Sequence, residues 1–430
     1  MNKEIFKLAI PNVLSNLAIP IQSSIDTIIM GRFSAVHIAA IGVGSMVFNF
    51  IYWNFGFLRM STTGLTAQSF GKEDAKQIST QLGRGLLLAL LFASVLIVFQ
   101  RPILSFALFR MDIGASESIL VETYFNIRIW AAPATLSLYV LMGWFFGLQN
   151  AFLPLILTLT TIMINIILNF VFVFSFDLGV AGLAWATVIA QYVGVLAASI
   201  MILYKYQGYL RKVFTKLIFK FNEMKNFMKL NVDIFIRTLF LTIVFWLIHE
   251  YSADFGKDIL AVNIILLQFL NWMSYGVDGF AFAAESIVGK YKGRSASNDL
   301  IKAVKLCFGW GFVLALFFAA LYGFGGAFIF RLFTDDSNLL RIVKPYFIWL
   351  AILPIVATAS YLWDGVFVGL TASRSMLLSM FVAFVCFLGL SSYARETYGN
   401  HGIWLMLFVF LFVRGFVQTI MFLYKRENLT

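Results

Sequence analysis

Charged side chains are scarce in this sequence. Only 12% of its 430 residues are charged, whereas 61% are hydrophobic, and the mean hydropathy is +0.87. Because soluble domains carry roughly 25% charged residues, a soluble chain of this length would lack the polar side chains that cover a core. The composition therefore excludes a soluble globular protein and indicates an integral membrane protein.

Cysteine and histidine are also rare. The two cysteines and three histidines are scattered, with no CxxC or HExxH spacing of the kind that builds metal and redox sites. No motif pairs a nucleophile with a base. We therefore expect no metal site and no cofactor, and we do not expect an enzyme.

The amino-terminal stretch MNKEIFKLAIPNVLSN lacks the features of a signal peptide, so we expect a retained first helix. Windows of about 20 apolar residues predict twelve membrane spans, and hence an all-α polytopic membrane protein. The predicted spans begin near Ile5, Ile38, Gly85, Val121, Leu153, Gly179, Leu230, Ile259, Ala303, Tyr346, Ser375 and Ile403.

Lysine and arginine predict the orientation, because cytoplasmic loops carry an excess of both. They cluster after the second span, in the 205–229 segment, after the eighth span and at the C-terminus, all on one side of a twelve-span chain. We therefore expect both termini in the cytoplasm. Topology accounts for the net charge of +11, so no nucleic-acid partner is expected.

The chain repeats itself at a shift of 222 residues. The segment YFNIRIWAAPATLSLYVLMGWFFGLQNA, from Tyr124, aligns without a gap with YFIWLAILPIVATASYLWDGVFVGLTAS, from Tyr346. Six spans in each half make the halves parallel repeats, which is an architecture of transporters. We predict an N-terminal lobe at 1–204, a basic cytoplasmic linker at 205–229 and a C-terminal lobe at 230–430.

Polar side chains recur at three- and four-residue steps along one face of the first span. They are Asn12, Ser15, Asn16, Gln22, Ser23 and Asp26. An ionised Asp26 in hydrocarbon costs at least about 2.5–3.5 kcal/mol. Either this face is a polar seam against another helix, or it lines an aqueous cavity with Asp26 at its deep end, which we favour. Pro20 should bend the helix and is the expected hinge.

Two asparagines, Asn165 and Asn169, share one face of the fifth span at a spacing of four residues. They are either an interhelical hydrogen-bonding pair or partners of Asp26, and the spacing alone does not decide between these alternatives.

The second half carries its own charged residues at membrane depth. Asp233 and Arg237, four residues apart in the seventh span, are expected to neutralise each other. Asp278 lies in the eighth span and Asp364 in the tenth. Asp364 either supplies negative potential for a cationic substrate or pairs permanently with a basic residue such as Arg237.

Five segments in a fixed order carry a resemblance that covers essentially the whole chain. They are IDTIIMGRFSAVHIAAIGV, YWNFGFLRMSTTGLTAQSFG, RIWAAPATLSLYVLMGWFFGLQNA, NVDIFIRTLF and SYGVDGFAFAAESIVG. The chain resembles the multidrug and toxic compound extrusion (MATE) family of the MOP flippase superfamily, in particular its DinF-like branch. The resemblance implies two six-helix lobes around a central cleft and transport by alternating access.

The resemblance also implies a proton- or cation-coupling site formed by Asp26, Asn165, Asn169 and Thr187. Where the family has an acid on the fifth span this chain has an asparagine, so a proton is expected as the coupling ion rather than sodium. The family's aspartate on span ten matches Asp364. The span-seven glutamate of some relatives is Arg237 here, which argues against a two-carboxylate site in the second half.

The expected function is therefore cation-coupled antiport, with export of amphipathic or cationic drugs and toxic compounds. The alternative is a lipid-linked precursor flippase of the same superfamily, for which Arg59, Arg128 and Arg237 are candidate diphosphate contacts. The expected partners are small amphipathic substrates and the lipid bilayer, and the chain is expected to be a monomer.

Cysteine labelling tests the predicted orientation. A cysteine introduced at Lys216 should react only from the cytoplasm, and one at Asp335 only from outside. Equal accessibility of both positions from outside would contradict the twelve-span topology.

Overall fold

A computed structural model describes residues 1–110, 114–210, 218 and 220–426. The chain is 92% helical, and none of the described residues forms a strand, which confirms the all-α prediction. Within the described residues, twelve helical segments are long and apolar enough to cross a membrane, as predicted. They are Asn2–Gly31, Ala35–Gly71, Ala75–Val98, Ala115–Gly147, Phe152–Ser175, Gly179–Lys205, Glu223–Asp254, Lys257–Gly293, Ser297–Arg331, Ser337–Gly369, Ser373–Tyr398 and Asn400–Tyr424.

Several spans begin before their apolar stretch does. The third span begins at Ala75, ten residues before Gly85, because Asp74 caps it: its side chain accepts hydrogen bonds from the backbone N–H groups of Lys76 and Gln77, at 3.1 and 3.0 Å. An N-cap satisfies backbone donors that the helix itself leaves unpaired. A hydropathy window does not detect this signal.

Four spans are built from more than one helical piece. The second comprises helices Ala35–Asn54 and Phe57–Gly71. In the fourth, a 3₁₀ turn at Ile129–Ala131 separates Ala115–Arg128 from Ala132–Gly147, and in the tenth a 3₁₀ turn at Lys344–Tyr346 separates Ser337–Val343 from Phe347–Gly369. The fifth span is an α-helix, Phe152–Phe170, that ends in a π-helical turn, Val171–Ser175. Outside the spans lie the helices Gln100–Arg110 and Gln207–Leu210.

The first span is one continuous helix of 30 residues that passes through Pro11 and Pro20. Proline removes one backbone N–H from a helix. The hydroxyl of Ser24 donates to the carbonyl oxygen of Pro20 at 3.0 Å. The hinge role of Pro20 stays a prediction.

The contacts divide the chain into two compact units. The first comprises Leu14–Asn226, and the second comprises Met1–Val13 with Phe227–Thr430. We call them the N-unit and the C-unit. The predicted lobe and linker boundaries at 1–204, 205–229 and 230–430 stay a prediction. Lys216 and most of the 211–219 segment lie outside the described residues.

The internal repeat recurs in the way the helices pack. In the N-unit, Gly143 of the fourth span lies against the backbone of Arg59 in the second, where a Cβ atom would overlap the carbonyl oxygen. In the C-unit, Gly365 lies in the same way against Ala281. Gly365 and Ala281 each come 222 positions after Gly143 and Arg59. The same backbone contact therefore occurs in both halves.

A second pair of glycines, one helical turn further along the fourth and tenth spans, also makes equivalent contacts in the two units. A Cβ on Gly147 would meet Thr66 Cβ at 2.5 Å and Ala67 N at 3.0 Å. A Cβ on Gly369 would meet Gly289 N at 2.9 Å and Val288 Cβ at 3.1 Å. Small residues let membrane helices approach closely enough for backbone contact, which explains why glycines align in the repeat.

We predict that Gly143→Ala and Gly365→Ala each destabilise the protein by about 1–3 kcal/mol, which is typical of overpacking. The measurement is the thermal unfolding midpoint of the purified protein in detergent. The matched controls are Gly42→Ala and Gly309→Ala, where an added Cβ meets nothing within 4 Å. Because alanine is the better helix former, the controls should unfold at the same temperature or higher. Equal midpoints for all four variants would contradict the close-packing interpretation.

Candidate functional site

In the N-unit, Asp26 of the first span meets Asn169 of the fifth. The side-chain amide of Asn169 donates to Asp26 Oδ1 at 2.7 Å. Asn169 is fully buried, whereas Asp26 is only partly covered. The Asp26 carboxylate is therefore partly accessible, although the amide that donates to it is enclosed.

Asn165 extends this contact into a network over three spans. Its Oδ1 accepts from Gln22 Nε2 at 2.9 Å and from Asn169 Nδ2 at 3.3 Å. Its own Nδ2 donates to Thr187 Oγ1 at 3.2 Å, on the sixth span. The structure therefore brings together all four predicted site residues, and Gln22 of the polar face joins them.

Local helix geometry explains the arrangement. The four-residue spacing places Asn165 and Asn169 one above the other on a single face. The π-helical turn Val171–Ser175 begins two residues after Asn169. π-turns inside α-helices often mark functional sites, and no feature of the sequence analysis predicted this one.

One buried atom of the network has no partner among the described residues. Asn169 Oδ1 is buried and accepts no hydrogen bond from any group that the structure describes. A buried acceptor without a donor costs about 1–3 kcal/mol. A proton on Asp26 would convert this carboxylate into a donor beside that acceptor.

Arg128 of the fourth span is the cation whose charge acts on Asp26. Its guanidinium donates to the hydroxyls of Tyr124 and Ser45 and lies over the ring of Phe48, 4.9 Å from the centroid. These contacts hold the positive charge in a fixed place within the N-unit.

In the C-unit, Asp364 occupies the centre of a buried cluster. Its Oδ2 pairs with Arg237 of the seventh span and with Arg414 of the twelfth. Its Oδ1 accepts from Gln418 Nε2 at 2.8 Å. Arg414 and Gln418 are fully buried, so the carboxylate is enclosed by donors.

The predicted neutralisation of Asp233 by Arg237 is wrong. Asp233 accepts from the hydroxyl of Ser373 at 2.9 Å and lies 3.7 Å from Arg374 Nη1. A spacing of four residues allows two side chains to meet, but the rotation of each helix in its bundle decides which neighbour they reach. Here Arg237 faces the tenth span, where Asp364 provides a carboxylate.

Asp278, the fourth predicted residue of the second half, is half-buried in the eighth span. Its charge acts on both Arg237 and Arg414. The sequence analysis did not include Arg414 and Gln418. The sequence feature that could have identified these two residues is their spacing of four residues in the segment FVRGFVQTI, which places them on one face of the twelfth span.

Comparison with known proteins places the chain in one family. A family model described as MatE matches residues 11–171 and 233–391. DNA damage-inducible protein F of Escherichia coli (strain K12) is 35% identical over 96% of this chain and 90% of its own length. A probable multidrug resistance protein NorM of Listeria monocytogenes serotype 4b is 25% identical, over 97% of this chain and 93% of its own.

Solved structures agree on the fold. A MATE structure in the bent conformation has a TM-score of 0.89 at 18% identity, over 100% of this chain and 96% of that one. An outward-facing multidrug resistance MATE transporter of the MOP superfamily also scores 0.89, at 19% identity and the same coverage. With the matched family model and the relative at 35% identity, these findings show that the chain is a multi-pass membrane protein belonging to the MatE family of multidrug and toxic compound extrusion transporters.

Proposed function

We propose that the chain is a proton-coupled antiporter that exports amphipathic, often cationic compounds by alternating access. The observation that carries this proposal is the network around Asp26, in which one partly accessible carboxylate accepts a hydrogen bond from Asn169, and Asn169 is linked through Asn165 to neutral side chains of the first and sixth spans. The names of the relatives support export of toxic compounds, since they include a multidrug resistance protein.

The composition of the network favours a proton over sodium. Hard metal cations are bound by several oxygen ligands at once. Asn165 Oδ1 already accepts two hydrogen bonds, and Thr187 Oγ1 donates to the carbonyl of Leu183 at 3.1 Å. A sodium ion would have to displace these contacts, whereas a proton needs only Asp26 and the unpartnered Asn169 Oδ1.

The two protonation states of Asp26 make different contacts. When ionised, the carboxylate accepts from Asn169 and is attracted by Arg128. When protonated, it can donate to Asn169 Oδ1, and the attraction to Arg128 is lost. A carboxyl group whose partners change with its charge can bias the first span between two arrangements, with Pro20 as the proposed hinge.

The flippase alternative gains no support from the relatives, and its candidate arginines are already engaged. Arg128 is bonded to Tyr124 and Ser45, Arg237 is paired with Asp364, and Arg59 lies over the ring of Phe146 at 5.8 Å. At Arg237, a diphosphate headgroup would have to compete with the Asp364 carboxylate.

The C-unit cluster bears on the role of Asp364. A carboxylate that is shared by two buried guanidinium groups offers little negative potential to a cationic substrate. We therefore favour permanent pairing of Asp364 with Arg237 and Arg414. We also propose that both termini lie in the cytoplasm, that the protein lies in the plasma membrane and that it is a monomer.

We predict that Asp26→Asn keeps folded yield and binding of a cationic dye such as ethidium but loses export driven by a pH gradient. Asp26→Glu should retain part of the activity, because it keeps a titratable carboxyl. The measurement is dye export by the protein reconstituted in vesicles, under an imposed proton gradient or an imposed sodium gradient.

The matched control for this variant is Asp177→Asn, the same change at an exposed acid of the N-unit. It should export as the wild type does. Export by the wild type under a sodium gradient alone, or normal export by Asp26→Asn, would show that the proton mechanism is wrong.

We further predict that Asp364→Asn lowers the thermal midpoint and the folded yield, because it leaves two buried guanidinium groups without their carboxylate. Breaking a buried ion pair costs about 3–5 kcal/mol. The control is Asp254→Asn, which removes an exposed acid 3.1 Å from Arg395 and should cost at most about 1 kcal/mol. A fully stable Asp364→Asn protein that loses only cationic substrates would instead favour the negative-potential hypothesis.

A further inference from the structure

A cavity of about 540 Å³ lies beside the connection between the third and fourth spans, separate from the network around Asp26. One wall is the helix Gln100–Arg110, which contributes Gln100, Arg101 and Ser105. The other wall is one face of the fourth span, where Glu122, Asn126 and Trp130 follow each other at four-residue steps. The two walls thus present a cation, an anion, two amides and an indole ring to one space.

Arg101 and Glu122, the two charged residues of this cavity, are exposed and have no ionic partner among the described residues. Arg101 and Glu122 line the same space but form no ion pair with each other or with another residue of the described chain. The side-chain amides of Gln100 and Asn126 likewise form no hydrogen bond within the described ranges. The cavity therefore offers one group of each charge and two neutral groups to a ligand.

Its surroundings correspond to the boundary of a membrane. The fourth span has 33 residues, a length of about 50 Å, whereas the hydrocarbon core is about 30 Å thick. Its first turns therefore extend into the headgroup layer. Phe106 and Phe109, on the same helix as Arg101, are 68% and 84% exposed, and Ile119 is 66% exposed.

We propose that this cavity binds the headgroup of a zwitterionic phospholipid. Arginine is well suited to phosphate, so Arg101 binds the phosphodiester. Glu122 pairs with the ammonium group, and the face of Trp130 attracts the same cation. The acyl chains lie along Phe106 and Phe109.

The pairing of charges sets the specificity. A zwitterionic headgroup satisfies Arg101 and Glu122 together. A phosphatidylglycerol headgroup satisfies only Arg101, because it carries the same phosphodiester but no ammonium group to pair with Glu122. An ethanolamine headgroup should bind more tightly than choline, because its primary ammonium donates hydrogen bonds to the carboxylate and to Asn126.

The test uses the full-length protein in detergent micelles with dioctanoyl phosphatidylethanolamine and dioctanoyl phosphatidylglycerol as probes. Binding is followed by native mass spectrometry and by the thermal midpoint. We expect Arg101→Gln and Glu122→Gln each to raise the Kd for the ethanolamine lipid about tenfold, without changing the midpoint in the absence of lipid. Glu122→Gln should leave binding of the glycerol lipid unchanged or improve it.

The controls are Lys257→Gln and Asp335→Asn, which remove exposed charges from loops predicted on the same side of the membrane. They should bind both lipids as the wild type does. Arg101→Lys and Glu122→Asp keep the charges and should retain most of the binding, even if the neutral variants fold poorly.

Three results would overturn the proposal. The first is unchanged ethanolamine-lipid binding in both neutral variants. The second is equal binding of the two lipids by the wild type, which would leave only a site for anions. The third is equally tight binding of glycerophosphoethanolamine, which lacks acyl chains, since the ligand would then be a soluble headgroup rather than a lipid.

Discussion

A polar group at membrane depth must find its partner inside the protein, because hydrocarbon offers none. In the described residues, each compact unit supplies such partners from its own spans. In the N-unit, amide and hydroxyl side chains of three spans form a hydrogen-bond network that includes Asp26. In the C-unit, two guanidinium groups pair with Asp364. Several buried atoms of the described residues have no partner, among them Arg237 Nε, Arg414 Nη1 and Gln418 Oε1 in the C-unit cluster, and Asn169 Oδ1 is the one that the transport proposal uses.

The two units share a frame but differ in their chemistry. Glycines related by the 222-residue shift make the same backbone contacts in both. The same shift carries Asn165 onto Phe387 and Asp364 back onto Met142, so neither polar cluster has a counterpart in the other half. The repeat therefore constrains how the helices pack, while the charged and amide side chains differ between the halves. A coupling carboxylate in one half does not require one in the other.

Much of this organisation could be predicted from the sequence, and the limits are physical. The twelve spans follow from hydropathy because a span must be long and apolar. Asp26 and the two asparagines could be proposed together because helical spacing and family resemblance agreed. The sequence offered Arg237 two partners, Asp233 through local spacing and Asp364 of the tenth span. It could not decide between them, because the choice depends on how the seventh, tenth and twelfth spans are rotated against one another. Arg414 was not among the predicted residues.

The distribution of the C-unit cluster along the chain has a consequence for biogenesis. Its members come from the seventh, tenth and twelfth spans, so Arg237 and Asp364 enter the membrane before Arg414 and Gln418 have been synthesised. The network around Asp26 needs only the first, fifth and sixth spans and is complete halfway through translation. The N-unit can thus satisfy its polar groups during synthesis, whereas the C-unit carries a partly neutralised ion cluster until its last helix is inserted.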